Sequence, residues 1–297
     1  MLRFFRSGFI LLRGKVGFTL ETRQKKRGDR FDGYWLRDEV PAMNSFMAYL
    51  FPNRADNEAF IEQSIDLRPM DAFLAKKNAG LEKDKYSYFH VILAACVKCF
   101  VLRPRMNRFI SGNRIYQRDH ISVAFVVKKR FEDSSSEGLA YKRYTGDDTI
   151  DTLHASILEE IYQCRRTDVE DNSNAFMQKL MRLPNWLLRL VVKILFKLDR
   201  KGKVPYDIIR TDPNYASIFL TNLGSIGLDA GYHHLNNWGT NSFFGVIGKK
   251  HLAPEWHEDG SCTVHPVLDL GLTLDERIGD GFYYSGTVRL LRKLLEN

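Results

Sequence analysis

Residues 262–275, CTVHPVLDLGLTLD, constrain the fold more than any other stretch. Val264, Pro266, Leu268, Leu270, Leu272 and Leu274 fall at alternate positions, a period of two held over six places. Successive strand side chains point to opposite faces, so the pattern predicts one long, half-buried strand in a sheet. Glu258-Asp-Gly-Ser261 supplies a hairpin turn just before it, and ASIFLT (216–221) and SFFGVIG (242–248) read as further strands between Gly/Asn loops. FIEQSIDL (60–67), MNRFI (106–110), RIYQRD (114–119) and ISVAFVVKK (121–129) read as strands too. The apolar face of such a sheet needs covering, and the covering helices are present. Residues 86–102 are apolar nearly all round (Phe89, Ile92, Leu93, Val97, Phe100), which predicts a helix buried on most sides. Residues 68–77 form a short helix, 148–165 an amphipathic one, and Tyr284, Val288, Leu291 and Leu295 recur at helical spacing at the C-terminus. Strands and helices interleave without a regular βαβ beat or a phosphate-cradling Gly-rich loop, so one mixed α/β domain is predicted, with no Rossmann or P-loop unit.

Charge separates this domain from two basic segments. The chain of 297 residues carries a net +8, yet residues 1–30 hold +7 and residues 179–203 another +7, leaving −6 for the rest. A nucleic-acid module spreads its basic footprint over a folded face, so no nucleic-acid partner is expected. The second segment reads as an amphipathic helix. Leu183, Leu187, Leu190, Val191, Ile194 and Leu198 lie on one side, with Arg189, Lys193 and Lys197 opposite. Such a helix can lie on an anionic membrane, although packing on its own domain is the preferred expectation. Residues 1–54 read as a basic N-terminal extension and arm, and residues 1–20 lack the uninterrupted apolar core and cleavage site of a secretion signal. No apolar run approaches the ~18 residues of a spanning helix. The four cysteines cannot form a disulfide framework, and Cys96-x-x-Cys99 falls inside a helical apolar run, so two buried thiols in the reducing cytoplasm are expected rather than a metal site.

The end of the long strand carries the most specific signal. Leu272-Thr-Leu-Asp275-Glu276-Arg277-Ile278-Gly279-Asp280-Gly281, followed by a Leu-rich helix, resembles the Asp-His-Arg-x-x-Asp-Gly signature of the 2-oxo-acid dehydrogenase acyltransferase catalytic domain. Phe219-Leu-Thr-Asn-Leu-Gly224-Ser-Ile-Gly227 resembles that family's Ser-Asn-Leu-Gly segment, and Phe244-Gly-Val-Ile-Gly-Lys249 its following core strand. Residues 86–110 and 121–129 resemble its first long helix and the strands after it. The resemblance spans residues 55–297, with the basic helix near 176–203 as an insertion. It implies an α/β, chloramphenicol acetyltransferase-like mixed-sheet sandwich with surrounding helices. Nothing resembles a lipoyl domain.

The resemblance also implies acyl transfer between coenzyme A and a thiol or small acceptor, in a homotrimer whose sites lie between subunits. In the family a His takes the acceptor's proton, a Ser hydroxyl stabilises the tetrahedral oxyanion, and a downstream Asp orders the site through ionic contacts. By motif these positions are Glu276, Thr221 and Asp280, with Arg277 beside the base; Asn222, Gly224, Ser225 and Gly281 fall at the coenzyme A positions. Only the base differs in chemistry. At ordinary values of about 6.5 for His and 4.3 for Glu, a Glu base faces a thiol near 8.5 with about 3 kcal/mol more to climb. Burial at the end of an apolar strand would close that gap, whereas an anionic Glu would repel the oxyanion. His233 and His234 could supply a substitute base, while His257 and His265 are expected to be structural; no metal is implied. The alternative function is a catalytically silent relative that binds an acyl carrier or acts as an oligomeric scaffold.

Overall fold

The computed structural model describes residues 23–128, 137–166, 180–209 and 212–297. Residues 1–22, which include the basic extension, and 176–179 of the expected insertion lie outside the described residues. The strands are β1 (Gly33–Trp35), β2 (Glu58–Asp66), β3 (Arg108–Ser111), β4 (Arg114–Arg118), β5 (Ile121–Lys128), β6 (Glu137–Tyr144), β7 (Ile218–Asn222), β8 (Phe243–Trp256) and β9 (Cys262–Asp275). The helices are α1 (Ala42–Leu50), α2 (Arg68–Lys77), α3 (Tyr88–Leu102), α4 (Ile150–Arg166), α5 (Asn185–Arg200), α6 (Tyr206–Ile209) and α7 (Gly281–Glu296). The alternating stretch is β9, and it lies between β2 and β8 in a six-stranded mixed sheet of order β2-β9-β8-β7-β5-β6. β7 runs parallel to both β5 and β8, and the other pairings are antiparallel. A second sheet, β1-β4-β3, stands beside it.

One face of the large sheet is covered by helices. Leu268, Leu270, Leu272 and Leu274 of β9 join Ile65, Phe125, Ile218 and Leu220 in a core shared with α3, α4 and α7. α3 begins where Ser87 and His90 cap each other's backbone. It then buries ten of its fifteen residues, including Cys96 and Cys99, and burial pushes the Cys96 thiol up to about 12. The expectation of six positions on one core face holds only for the four leucines. β2 reaches no further than Val267 on β9, so Val264 and Pro266 belong to a hairpin that runs beyond the sheet, where Leu252, Trp256 and Val264 are exposed.

The opposite face carries a smaller cluster of Phe244, Val246 and Leu235, against which Phe219 and Leu223 pack. The loop after β7 crosses this face in direct backbone contact. A Cβ on Gly271 would meet the Gly231 carbonyl oxygen at 2.0 Å, and one on Gly248 would meet the Ala230 nitrogen at 2.4 Å. Only glycine permits that approach.

Residues 30–54, read as an arm, are built into the same body. β1 pairs with β4, and Arg30, Asp32, Leu36, Ala48 and Arg54 are buried. The basic helix α5 is docked by its C-terminal end. Its Asp199 accepts a hydrogen bond from Tyr215 Oη at 2.7 Å and one from the Gly239 amide at 3.1 Å, and lies 3.7 Å from Arg30.

Candidate active site

Glu276 stands in the short turn that joins β9 to α7, and the residues on either side of it form a buried brace. Asp275 is fully buried. Its carboxylate accepts from Arg277 Nε at 2.8 Å and Nη2 at 2.7 Å, while Arg277 Nη1 donates to the Phe51 carbonyl at 2.8 Å. Arg54 faces the same carboxylate at 3.7 Å. Burial pulls the Arg54 guanidinium down to about 10, with Asp275 opposing and Arg277 adding to the fall. Tyr284 Oη donates to the Asp275 carbonyl at 2.6 Å, and burial first, then the nearby carboxylates, raise this phenol well above its usual value. Two guanidiniums on one carboxylate leave an excess of one positive charge beside Glu276. Arg277, expected beside the base, is held by Asp275 and by the Phe51 and Pro52 carbonyls.

Glu276 itself is exposed, and it has neither a hydrogen bond nor an ion pair among the described residues. The burial expected at the end of β9 is absent in the single chain because β9 is still paired at Asp275, opposite Glu58, but ends there, and Glu276 stands exposed in the turn that follows. Asp280 caps α7, accepting from the Tyr283 amide at 2.7 Å, and makes no ion pair among the described residues. Gly281 opens α7 with nothing near the place of a Cβ, so no close approach depends on it.

Thr221 lies elsewhere. It is half-buried near the end of β7, on the face of Phe219 by strand alternation, and its hydroxyl makes no hydrogen bond among the described residues. Asn222 caps the following turn by accepting from the Ser225 amide at 3.2 Å, and Ser225 Oγ donates back to the Asn222 carbonyl at 2.7 Å. Gly224 packs on the backbone of Gly248, where a Cβ would lie 2.4 Å from the carbonyl oxygen. The register gives the separation of the two ends. Thr221 is opposite Val246, Val246 is opposite Gly271, and Glu276 comes five residues later on an antiparallel strand. Within one chain Thr221 and Glu276 are therefore roughly 16 Å apart along the strands and 10 Å across them.

The histidines do not form a second centre. His233 stacks on Phe244 with ring centroids 4.3 Å apart, and His234 Nδ1 lies 3.1 Å from Glu58. His257 pairs with Thr263 at 2.8 Å on the hairpin, and His265 Nδ1 lies 3.6 Å from Glu255. Among the described residues no group of three or more His, Cys, Asp or Glu is arranged to hold a metal ion. Asp275 is the site residue that the assignment by motif missed; its buried bidentate contact with the arginine two positions on is the signal that marks it.

No protein-family model and no curated protein matches the sequence. Solved structures do. A dihydrolipoamide acetyltransferase from Azotobacter vinelandii, in which the roles of a serine, a histidine and an asparagine in the catalytic mechanism were investigated, is 18% identical at a TM-score of 0.58, over 86% of each chain. The chain has the acyltransferase-core fold. The cubic core of a pyruvate dehydrogenase complex is similar at 17% identity and a TM-score of 0.55, over 89% of each chain. A catalytic core of a 2-oxoacid dehydrogenase complex from Thermoplasma acidophilum gives 11% and 0.55, over 87% of this chain and 96% of that one. The mixed-sheet sandwich expected from the motifs is therefore the acyltransferase-core fold, with α5 projecting from it.

Proposed function

We propose that the protein transfers an acyl group between coenzyme A and a thiol or small acceptor, at sites formed between the chains of a homotrimer. The observation that carries this reading is the placement of Thr221 and Glu276 at opposite ends of the sheet, each with its functional oxygens free. One chain cannot bring the two together, whereas neighbouring chains related by rotation can. Glu276 would take the acceptor's proton, and the Thr221 hydroxyl of the adjacent chain would donate to the oxyanion. The Arg54–Asp275–Arg277 brace fixes the turn, and its excess positive charge offsets the repulsion between a Glu276 carboxylate and the forming oxyanion. The burial of the Cys96 and Cys99 thiols inside α3 is in keeping with a reducing compartment such as the cytoplasm.

The exposure of Glu276 favours a second reading, a silent relative that keeps the oligomer and the carrier site without catalysis. Light scattering and acyl-coenzyme A consumption separate the two. A trimer whose turnover falls about 10²- to 10⁴-fold in Glu276→Gln is expected for the enzyme. A trimer inert toward thiol, amine and hydroxyl acceptors would establish the scaffold, and a monomer would remove the shared site.

A further inference from the structure

The insertion helix builds a cleft that the acyltransferase motifs do not account for. Between α5 and the β1-β4-β3 sheet lies a cavity of about 920 Å³. Arg114, Lys193, Lys197, Arg200, Lys201 and Lys203 line it, and none of these six has an ion-pair partner among the described residues. The acidic group on its wall, Asp29, is committed to backbone: its carboxylate accepts from the Lys26 amide at 2.8 Å and the Trp35 amide at 2.9 Å. Six cations against the single Asp29 carboxylate leave a net positive charge of five in a concave site, which is the arrangement that concentrates polyanions. Phe196 and Val192 add an apolar wall, and the volume falls in the range of pockets that enclose a nucleotide-sized ligand.

The cleft adjoins a smaller cavity on the side of the Glu276 turn. Gly112 and Arg200 line a second, narrower crevice as well, which passes Asn53 and Arg54 and ends at Arg277, the residue after Glu276. The crevice itself holds only about 40 Å³, so a ligand with a polyanionic head in the cleft would carry an uncharged arm outside it. Coenzyme A has that construction: a phosphorylated adenosine diphosphate, an uncharged pantetheine arm and a terminal thiol.

We infer that the α5 cleft binds the phosphorylated nucleoside end of coenzyme A. The choice of coenzyme A rests on the acyl-transfer reading; the anion site rests on the cleft alone. It places the nucleotide on the inserted helix, away from Asn222, Gly224 and Ser225, whose polar groups close their own turn.

Calorimetry on the full chain tests this with coenzyme A, 3′,5′-adenosine bisphosphate and pantetheine as probes, alongside co-sedimentation with phosphatidylserine vesicles. Coenzyme A and the bisphosphate should bind one per chain, with pantetheine weaker by about tenfold or more. Lys193→Glu with Lys197→Glu, and separately Lys201→Glu with Lys203→Glu, should each weaken both nucleotide ligands by about tenfold or more while leaving the melting temperature unchanged. Unaltered affinity in both double variants would overturn the inference. So would lysine-dependent pelleting with vesicles without nucleotide binding, which would assign the cleft to a lipid surface. Lysine-dependent bisphosphate binding in a protein that consumes no acyl-coenzyme A would uphold the cleft and refute the acyl-transfer reading.

Discussion

α3 and α5 are nearly the same length, 15 and 16 residues, and both are rich in leucine, isoleucine and valine, yet they are held in different ways. α3 lies between the sheet and α7 with ten residues buried. α5 buries Asp199 alone, and Trp186, Leu190 and Ile194 remain exposed. Apolar area along its length fastens the first helix, whereas the second is fastened at one end, by the Asp199 latch and the packing of Phe196 and Leu198. Apolarity identifies a helix, but the neighbours that the topology supplies decide whether it is covered. α3 faces the central strands of a sheet, whereas α5 meets the body through its last turns, where Asp199 reaches Arg30, Tyr215 and Gly239, Phe196 meets Trp238, and Leu198 packs on Val204, Ile209 and Tyr215.

Substitutions at matched positions put the contrast to the test. Leu93→Ala in α3 removes a fully buried side chain and should destabilise the protein by about 4 kcal/mol, measured by denaturant unfolding. A loss below ~1 kcal/mol would mean that α3 is less tightly covered than its burial shows.

α3 should also make the protein sensitive to acid. Burial, aided by the neighbouring His154, lowers His90 from 6.5 to about 4. Between these values the unfolded chain binds the proton and the folded chain does not. The contribution of His90 is therefore complete above pH 6.5 and is lost as the pH falls toward 4, up to about 3 kcal/mol. His90→Phe should flatten the stability profile over this window; an unchanged profile would exclude His90 as its source.

The latch of α5 should fail when its carboxyl group is removed with the hydrogen bonds it accepts. Asp199→Ala leaves Arg30 with Asp32 as its buried counter-charge and should cost about 3 kcal/mol, near the lower end for breaking a buried pair. Asp199 has the opposite pH response to His90. Burial raises its carboxyl above the usual range, so acid relieves its cost in the folded state as the pH falls through that raised value. On the exposed side of the same helix, Leu190→Ala should change stability by no more than about 0.5 kcal/mol. A loss comparable to that of Leu93→Ala would show that α5 is covered in solution.

The same contrast explains what was legible in the sequence. The period of two along β9 and the all-round apolarity of α3 reflect local geometry, and both elements stand where the pattern placed them. β1, α1 and β6 were missed. β1 is three residues long, α1 keeps Met43, Phe46 and Tyr49 exposed, and β6 carries Lys142 on one face and Arg143 on the other, which breaks the apolar alternation of both. Such elements are set by their partners in space rather than by a strong period of their own. The site divides similarly. The motif led to Glu276 and Thr221, but their separation follows from the strand order β9-β8-β7, which arises from long-range pairing. The role of Arg277 was hidden for the same reason: its carbonyl acceptor on Phe51 lies more than two hundred residues away in sequence.

Mixing two inactive variants measures the shared site most directly. Glu276→Gln and Thr221→Ala chains would be co-expressed with different affinity tags, and the mixed oligomers purified through both. If the site forms between chains, each mixed trimer carries one interface in three with both groups intact, so the pool should regain about a third of the wild-type acyl transfer. If the mixed oligomers are as inactive as either parent while the wild type turns over, Thr221 and Glu276 do not meet between chains and the account is wrong.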